Sequence, residues 1–507
     1  MPVKLIRIPS LKSAAEFQAQ VAGLEIQLPC DPSILTEVES PLSREVSDVR
    51  INGKTLFNRW VVHPMEGWDA DTKGRPTEDV HRRWQRFGES GACLIFGGEA
   101  MAVRADGRAN PNQLILSSAN ASELARLREG LVKAHHNRHG SSQTPVIGFQ
   151  LTHSGRFCRP NDKKRFEPRV GFRHPLLDAR FGVTQDDQVF TDNELDDLIG
   201  DFVRAARVAW DAGADFVDIK HCHGYLLHEL LGAHHRPGRY GGSFENRTRM
   251  LREIAAGIRA DGNPIELGVR LSAFDFVPFV PDPAQSQPGR PGPGIPAPHS
   301  DCLPYRYAFG VREDHPIDYD LAEPCQFVDL CASLGIKLLN LSAGSPYYNP
   351  HIQRPAAYPP SDGYQPPEDP LVGVARQLKA TRFLRQHLQR TDDGADGGRR
   401  TGGPPPVVIG TGYSYLQEFL PHVAQAAVRE GWTDMVGLGR MILSYPELPS
   451  DSLKKGSLAT RLICRTFSDC TTAPRNGLPS GCYPLDEAYK RRPEAKLLRD
   501  LKRASIP

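Results

Sequence analysis

Along the chain, short apolar runs alternate with amphipathic stretches that end at glycine. The clearest units are "RFGESGACLIFGGE" around Gly91, "ARVAWDAGADFVDIK" around Gly213, "FVDLCASLGIKLLNLS" around Gly335 and "VAQAAVREGWTDMVGLGR" around Gly431. In each, the pattern predicts a helix, a glycine that takes the left-handed cap without steric cost, and then a buried strand. Fainter strands follow the same logic in "PVIGFQLTH" from 145, "PIELGVRLS" from 264 and "PPVVIGTG" from 405, with "NRWVVHPM" at 58–65 as the opening strand. Continuous apolar strands alternating with helices imply a covered parallel sheet, and eight such units imply closure into a (β/α)8 TIM barrel of the α/β class. A doubly wound open sheet is the alternative. No strand runs into G-x-G-x-x-G at a helix start, so a dinucleotide-binding Rossmann domain has no support.

The stretch "TDNELDDLIGDFVRAARVAWDAG" shows how specific the reading can be. Thr191 with Glu194 three residues on has capping-box spacing, and Leu195, Leu198, Ile199, Phe202, Ala206 and Ala209 form one face. This helix feeds the fourth strand, "DFVDIK", so the polar burst "KHCHGYLLHELLGAHHRPGRYGGSFENR" begins at a strand C-terminus, the catalytic face of a barrel. The barrel is expected over 46–450, with insertions at about 276–318 and 349–405, an N-terminal extension 1–45 and a C-terminal tail 451–507. Within the first insertion, 276–300 is too rich in Pro and Gly for a barrel helix, and it reads either as a lid over the active face or as a solvated insertion. Residues 391–406, "TDDGADGGRRTGGPPP", read as a flexible linker.

Composition narrows the functional classes. The 62 Lys and Arg nearly balance 60 Asp and Glu, which argues against recruitment by nucleic acid or an anionic membrane and makes any anion site local. The start "MPVKLIRIPSLKSAAEF" has no apolar signal core and no later run is long enough to span a bilayer, so the chain is expected to be soluble and cytoplasmic. Ten scattered Cys, including Cys93, Cys325 and Cys331 in apolar segments, fit reduced core thiols.

The strand C-termini collect the candidate chemistry: Met65 and Glu66, Gly97 to Ala100, Gln150 and His153, Lys220 to Tyr225, Arg270, Ser342 to Gly344, Gly410 to Gly412, and Gly439 with Arg440. The last two strands end in "VIGTGYSYL" and "VGLGRMI", glycines followed by a basic residue. Loops after strands 7 and 8 commonly hold phosphate in this fold, because Gly lets backbone N–H groups approach the anion and Arg closes over it. The alternative is that these glycines serve only tight turns.

Taken together, "NRWVVHPMEG", "GGEAMAV", "GFQLTHSGR", "KHCHGYLLHELLGAHHRPGRYGGSFENR", "GVRLS" and "VGLGRMIL" resemble the Old Yellow Enzyme family of FMN-dependent NADH:flavin oxidoreductases, in family order from about 47 to 446. The tail suggests the 2,4-dienoyl-CoA reductase-like branch without its C-terminal nucleotide-binding domain. The resemblance implies FMN, with NADH or NADPH as reductant, and a small-molecule substrate. Carried over by position, Pro64 and Met65 would lie beside the flavin ring, Gly98 and Ala100 would edge its pyrimidine, and Gln150 would bond its polar rim. Arg270 would face N1 and O2, where negative charge grows on reduction. Gly344, Gly412, Gly439 and Arg440 would complete the cofactor site, the last three at the phosphate. His223 would bind an activated carbonyl oxygen and Tyr225 would supply a proton.

Two positions depart from the pattern. Lys220 stands where relatives have a first oxygen-binding His, and Glu66 lies next to the segment where they often have a small Cys or Thr tuning flavin N5. Lys220 could polarise a carbonyl, hold a carboxylate or act as a base, and Glu66 could bind a cationic substrate; a structural Glu66–Lys220 ion pair is the other reading. The remaining His (His221, His228, His234, His235) have no zinc-motif spacing, and no metal is expected. Cys464, Cys470 and Cys482 resemble the remnant of a cluster-binding segment that has lost its C-x-x-C pair. The favoured function is hydride transfer from NAD(P)H through FMN to an activated alkene or related electrophile. The competing readings are a flavin-dependent dehydrogenase or demethylase of an amine or carboxylated substrate, and a flavin-binding protein with an altered site. A homo-oligomer is compatible with the sequence.

Overall fold

The computed structural model describes residues 5–390 and 404–504. Eight parallel strands close a barrel: β1 (Trp60–Val62), β2 (Leu94–Ile95), β3 (Val146–Thr152), β4 (Phe216–Ile219), β5 (Glu266–Ser272), β6 (Leu338–Ser342), β7 (Val407–Gly410) and β8 (Met435–Leu438). Each pairs in parallel with the next, and β8 returns to β1 through Val436 opposite Trp60. Closure removes every edge of the sheet, and every strand is buried along its length apart from half-buried Glu266 at the start of β5. The barrel read from the hydrophobic pattern is therefore the observed architecture, and the open doubly wound sheet is excluded. The helix Asp192–Asp211 starts as its sequence implies: Thr191 Oγ1 accepts from the Glu194 N–H at 3.3 Å, and Glu194 Oε2 accepts from the Thr191 N–H at 2.8 Å.

Inside the barrel, Val61, Leu94, Phe96, Val146, Phe216, Leu338, Val407, Ile409 and Met435 form one apolar cluster. Its floor is an antiparallel hairpin, Val46–Ile51 with Lys54–Leu56, whose Ile51 and Leu56 are fully buried against it. Gly148 makes room for this packing, since a Cβ there would lie 2.3 Å from the Phe216 ring. With the N-terminal end plugged, the C-terminal end is left for chemistry.

The segments outside the repeat have defined places. Near the N-terminus, the helix Ala14–Gly23 packs beside the helix Leu420–Arg429, with Phe17 stacked on Phe419 at 4.6 Å. The Pro-rich stretch 276–300 forms a short antiparallel pair, Phe279–Pro281 with Gly294–Pro296, joined to Gln365 of the loop after β6. None of its residues lines the cavity described below. Most of the expected linker, 391–403, lies outside the described residues. The C-terminal tail crosses the mouth of the barrel: Asp486 pairs bidentately with Arg82 at 2.9 Å, Arg492 pairs with Asp79, and the Ser480 hydroxyl donates to the Gly67 carbonyl.

Candidate active site

A cavity of about 260 Å³ opens at the C-terminal end of the strands. Twelve of the fourteen residues singled out from the sequence line it: Pro64, Met65, Glu66, Ala100, Gln150, Lys220, His223, Tyr225, Arg270, Gly412, Gly439 and Arg440. Gly98 and Gly344 do not. Gly98 sits behind the wall, where its carbonyl accepts from the Met65 N–H at 2.9 Å and a Cβ would meet Trp84 at 2.3 Å. Gly344, at φ 58°, turns the chain after β6 against Asn349 and Ile352. Both glycines answer to packing.

At the base, the Arg270 guanidinium is 6 % exposed, and its Nε has no hydrogen-bond partner among the described residues. Burial pulls its pKa below the ordinary arginine value, with Asp218 and Cys222 opposing. Asp218, in the middle of β4, accepts from the Arg270 backbone N–H at 2.7 Å and from the Gln150 amide, and burial lifts its carboxyl to about 7. The carboxylate therefore orients Gln150 from behind without neutralising the guanidinium head. A buried cation lacking a direct partner is costly, so this pocket asks for an electron-rich ligand.

On the facing wall, His223 has left-handed backbone (φ 66°), and its N–H is held by Ser272 Oγ at 2.9 Å. Its Nε2 lies 3.0 Å from Ser342 Oγ and 3.4 Å from the Gln353 amide nitrogen. Burial first, then Arg270 and Lys220, hold its pKa well below the usual histidine value, so the imidazole is neutral. The Tyr225 hydroxyl donates to Glu66 Oε2 at 2.8 Å and meets the Tyr347 hydroxyl at 3.0 Å. Lys220 places its ammonium 3.5 Å above the centre of the Tyr225 ring and 4.0 Å from Glu66 Oε2. Burial lowers its pKa, with Glu66 opposing. The structure thus contains the Glu66–Lys220 contact and also keeps both side chains on the cavity wall.

Three arginines and a tyrosine further along the segment after β4 turn away from the cavity, while His221 and His228 are buried in the fold, bonded to the Ile219 carbonyl and the Gly224 N–H. Arg236 binds Asp192, Tyr240 and Arg239 bind Asp196, and Arg247 binds Glu323, fastening this loop to neighbouring helices. Among the described residues no group of three or more His, Cys, Asp or Glu is arranged to hold a metal ion.

Sequence reasoning missed several wall residues. His63, from the end of β1, accepts from the Asn340 amide at 3.0 Å through Nδ1, its Nε2 is unpartnered, and it is kept neutral by burial and by Arg270. Tyr347, Gln353 and Arg354 come from the loop after β6, and Cys470, Thr471, Arg475 and Ser480 from the tail. Nothing in local periodicity marks these; the Asp in the buried strand "FVDIK" was the one signal for Asp218.

At the phosphate end of the reading, Thr411 Oγ1 donates to Gln377 at 2.9 Å and Gly412 adopts φ 97°, conformation open to glycine. Arg440 donates to the Pro355 carbonyl at 3.3 Å through Nη2 and leaves Nη1 buried and unpartnered. Two guanidiniums, each with a nitrogen left without a partner among the described residues, and two neutral imidazoles line this one cavity, a lining that fits a ligand with a polar ring and a phosphate, as FMN has.

Fold and cavity together define a (β/α)8-barrel protein with an anion-seeking site at its C-terminal mouth. Residues 48–282 match the NADH:flavin oxidoreductase / NADH oxidase family. An NADPH dehydrogenase of Geobacillus sp. (strain WCH70) is 32% identical over 239 residues, covering 46% of this chain and 64% of the relative. The NADH:flavin oxidoreductase FG08077 of Gibberella zeae is 26% identical over 69% of this chain and 76% of its own. Among solved structures, a 2-naphthoyl-CoA reductase covers 92% of this chain and 58% of its own at TM-score 0.60 and 17% identity, a likeness of fold. Over residues 48–282, somewhat under half of its length, the chain is similar to the Old Yellow Enzyme-like proteins. It spans somewhat under two thirds of the length of the NADPH dehydrogenases it matches.

Proposed function

We propose that the chain is an FMN-dependent oxidoreductase that transfers hydride from NADPH or NADH to an activated alkene or a related electrophilic small molecule. The observation that carries this reading is Arg270, a buried guanidinium without a carboxylate partner at the floor of the cavity. Bound FMN would supply two-electron hydride relay between nicotinamide and substrate. Arg270 would offer positive charge where electron density accumulates, and Gln150, oriented by Asp218, would bond the flavin's polar rim. Met65, Pro64 and Ala100 would supply apolar surface, and Gly412, Gly439 and Arg440 would hold the phosphate.

Above the ring site, neutral His223 donates a hydrogen bond to a substrate carbonyl, withdrawing density from the conjugated carbon that accepts hydride. Tyr225 delivers the proton to the neighbouring carbon. Burial, Glu66 and Tyr347 raise its pKa well above the ordinary phenol value, so it stays protonated until transfer. The Tyr347 hydroxyl, 3.0 Å away, then lies within hydrogen-bond range to relay a proton from solvent back to the phenolate. Lys220 adds a second positive donor suited to a carboxylate or a strongly polarised carbonyl.

A second reading, oxidation of an amine, is favoured by Glu66, whose Oε1 is buried and unpartnered. Absorbance of the purified protein followed by anaerobic titration separates the two. Flavin bands bleached by NADPH or NADH support the first; bands bleached by amines and unmoved by nicotinamides support the second. Absence of flavin would refute both.

A further inference from the structure

A second arginine stands beside Arg440. Arg354, from the loop after β6, lines the same cavity and donates through Nη1 to Thr471 Oγ1 in the tail, while its Nη2 is buried and unpartnered. Its nearest charged influences are like charges, Arg440 and Arg475, and burial together with that repulsion brings its pKa down to about 9. Arg475 is neutralised by Asp362, and it also donates to the Pro346 carbonyl at 3.1 Å. Arg354 and Arg440 are left lining one cavity, each with one Nη group that has no hydrogen-bond partner and neither in an ion pair with a carboxylate among the described residues. Two neighbouring guanidiniums on one partly buried wall repel each other unless a strong anion bridges them, and a phosphate dianion has the charge and the acceptor count to do so.

The position of Arg354 is prepared by the barrel. Gln377 donates to the carbonyls of Ile352 at 2.6 Å and Gln353 at 3.2 Å, and accepts from Thr411, so the loop carrying Arg354 is tied to the strand end that leads to Gly412. On its other side Arg354 touches the short helix Asp469–Arg475, whose Cys470, Thr471, Pro474 and Arg475 form the outer wall. We propose that Arg354 is a second ligand of the flavin phosphate and that, through Thr471, phosphate binding fastens the C-terminal tail over the barrel mouth. The proposal rests on the flavin reading above. Its consequence is that the tail closes more firmly over FMN than over riboflavin, and by linkage that the docked tail raises affinity for the phosphorylated flavin.

The test uses the full-length protein stripped of flavin. Affinities for FMN and riboflavin are measured by flavin fluorescence for the wild type and Arg354→Gln, and tryptic cleavage within 461–503 is followed with each flavin at saturation. Loss of one charge-assisted bond should weaken FMN about tenfold or more and leave riboflavin within about twofold. FMN should slow tail cleavage in the wild type, riboflavin should not, and Thr471→Val at saturating FMN should lose the protection. Equal weakening of both flavins, or equal protection by both, overturns the proposal while leaving the flavin reading intact. Binding of neither flavin by the wild type overturns both.

Discussion

The Tyr225 hydroxyl donates to the Glu66 carboxylate at 2.8 Å, across 159 residues of sequence. This contact joins the proposed proton donor to Glu66, one of the two positions that depart from the pattern the sequence resembles. Tyr225→Phe should slow the substrate half-reaction by about 10²-fold or more, the usual contribution of a positioned general acid. Flavin reduction by the nicotinamide should change little. Rapid-mixing kinetics of each half-reaction check this; equal slowing of both would give Tyr225 a different role.

Glu66→Gln retains an acceptor for Tyr225 and removes the charge that helps hold the phenol protonated. The high-pH limb of the substrate half-reaction should then move to lower pH, because the phenol loses a neighbouring anion that raised its pKa. A pH profile measured under single-turnover conditions reads this shift, and an unmoved limb assigns proton delivery elsewhere.

Arg270→Ala removes the buried charge at the floor of the cavity. Loss of one such preorganised donor typically costs about 3 kcal/mol of barrier, or roughly 10²-fold, in flavin reduction. The variant must first be shown to bind flavin. An unchanged reduction rate in loaded protein would place Arg270 outside the charge-stabilising role.

Lys220 contacts both Glu66 and the Tyr225 ring, so Lys220→His exchanges a long ammonium for an imidazole donor. Activity on simple cyclic enones should rise and binding of carboxylated ligands should weaken, with nicotinamide reduction retained. Steady-state kinetics on paired neutral and carboxylated substrates decide it; no change in either makes the residue structural.

His228 is fully enclosed, accepts from the Gly224 N–H at 3.0 Å, and is held at about pH 3 by burial and by His221. Below the unfolded value near 6.5, the unfolded chain binds a proton that the native site refuses, so stability falls as pH falls. The window runs from about 6.5 down to 3, at about 1.4 kcal/mol per pH unit for this group. His228→Gln should flatten the acid side of the stability curve by that slope, as measured by urea unfolding between pH 7 and 5. Other buried titrating groups are common to both proteins and cancel in the comparison.

The sequence by itself determined the barrel, because its signals are local. Apolar strands, glycine caps such as Gly213 and the capping box at Thr191 each depend on neighbours within a few residues. Reading only strand ends was enough to bring twelve candidate residues to one cavity, since strand direction carries them to the same mouth. Tertiary structure decided how the polar burst after β4 divides, with Lys220, His223 and Tyr225 on the cavity and Arg236, Arg239 and Arg247 held away from it by acidic partners on neighbouring helices. It also set Gly98 and Gly344 off the wall, laid the tail across the mouth and brought Arg354 beside Arg440. These outcomes turn on contacts such as Ser480 with Gly67, 413 residues apart, and on the shortage of carboxylates near particular buried guanidiniums. No periodicity along the chain encodes them, because the partners meet only after the barrel has closed.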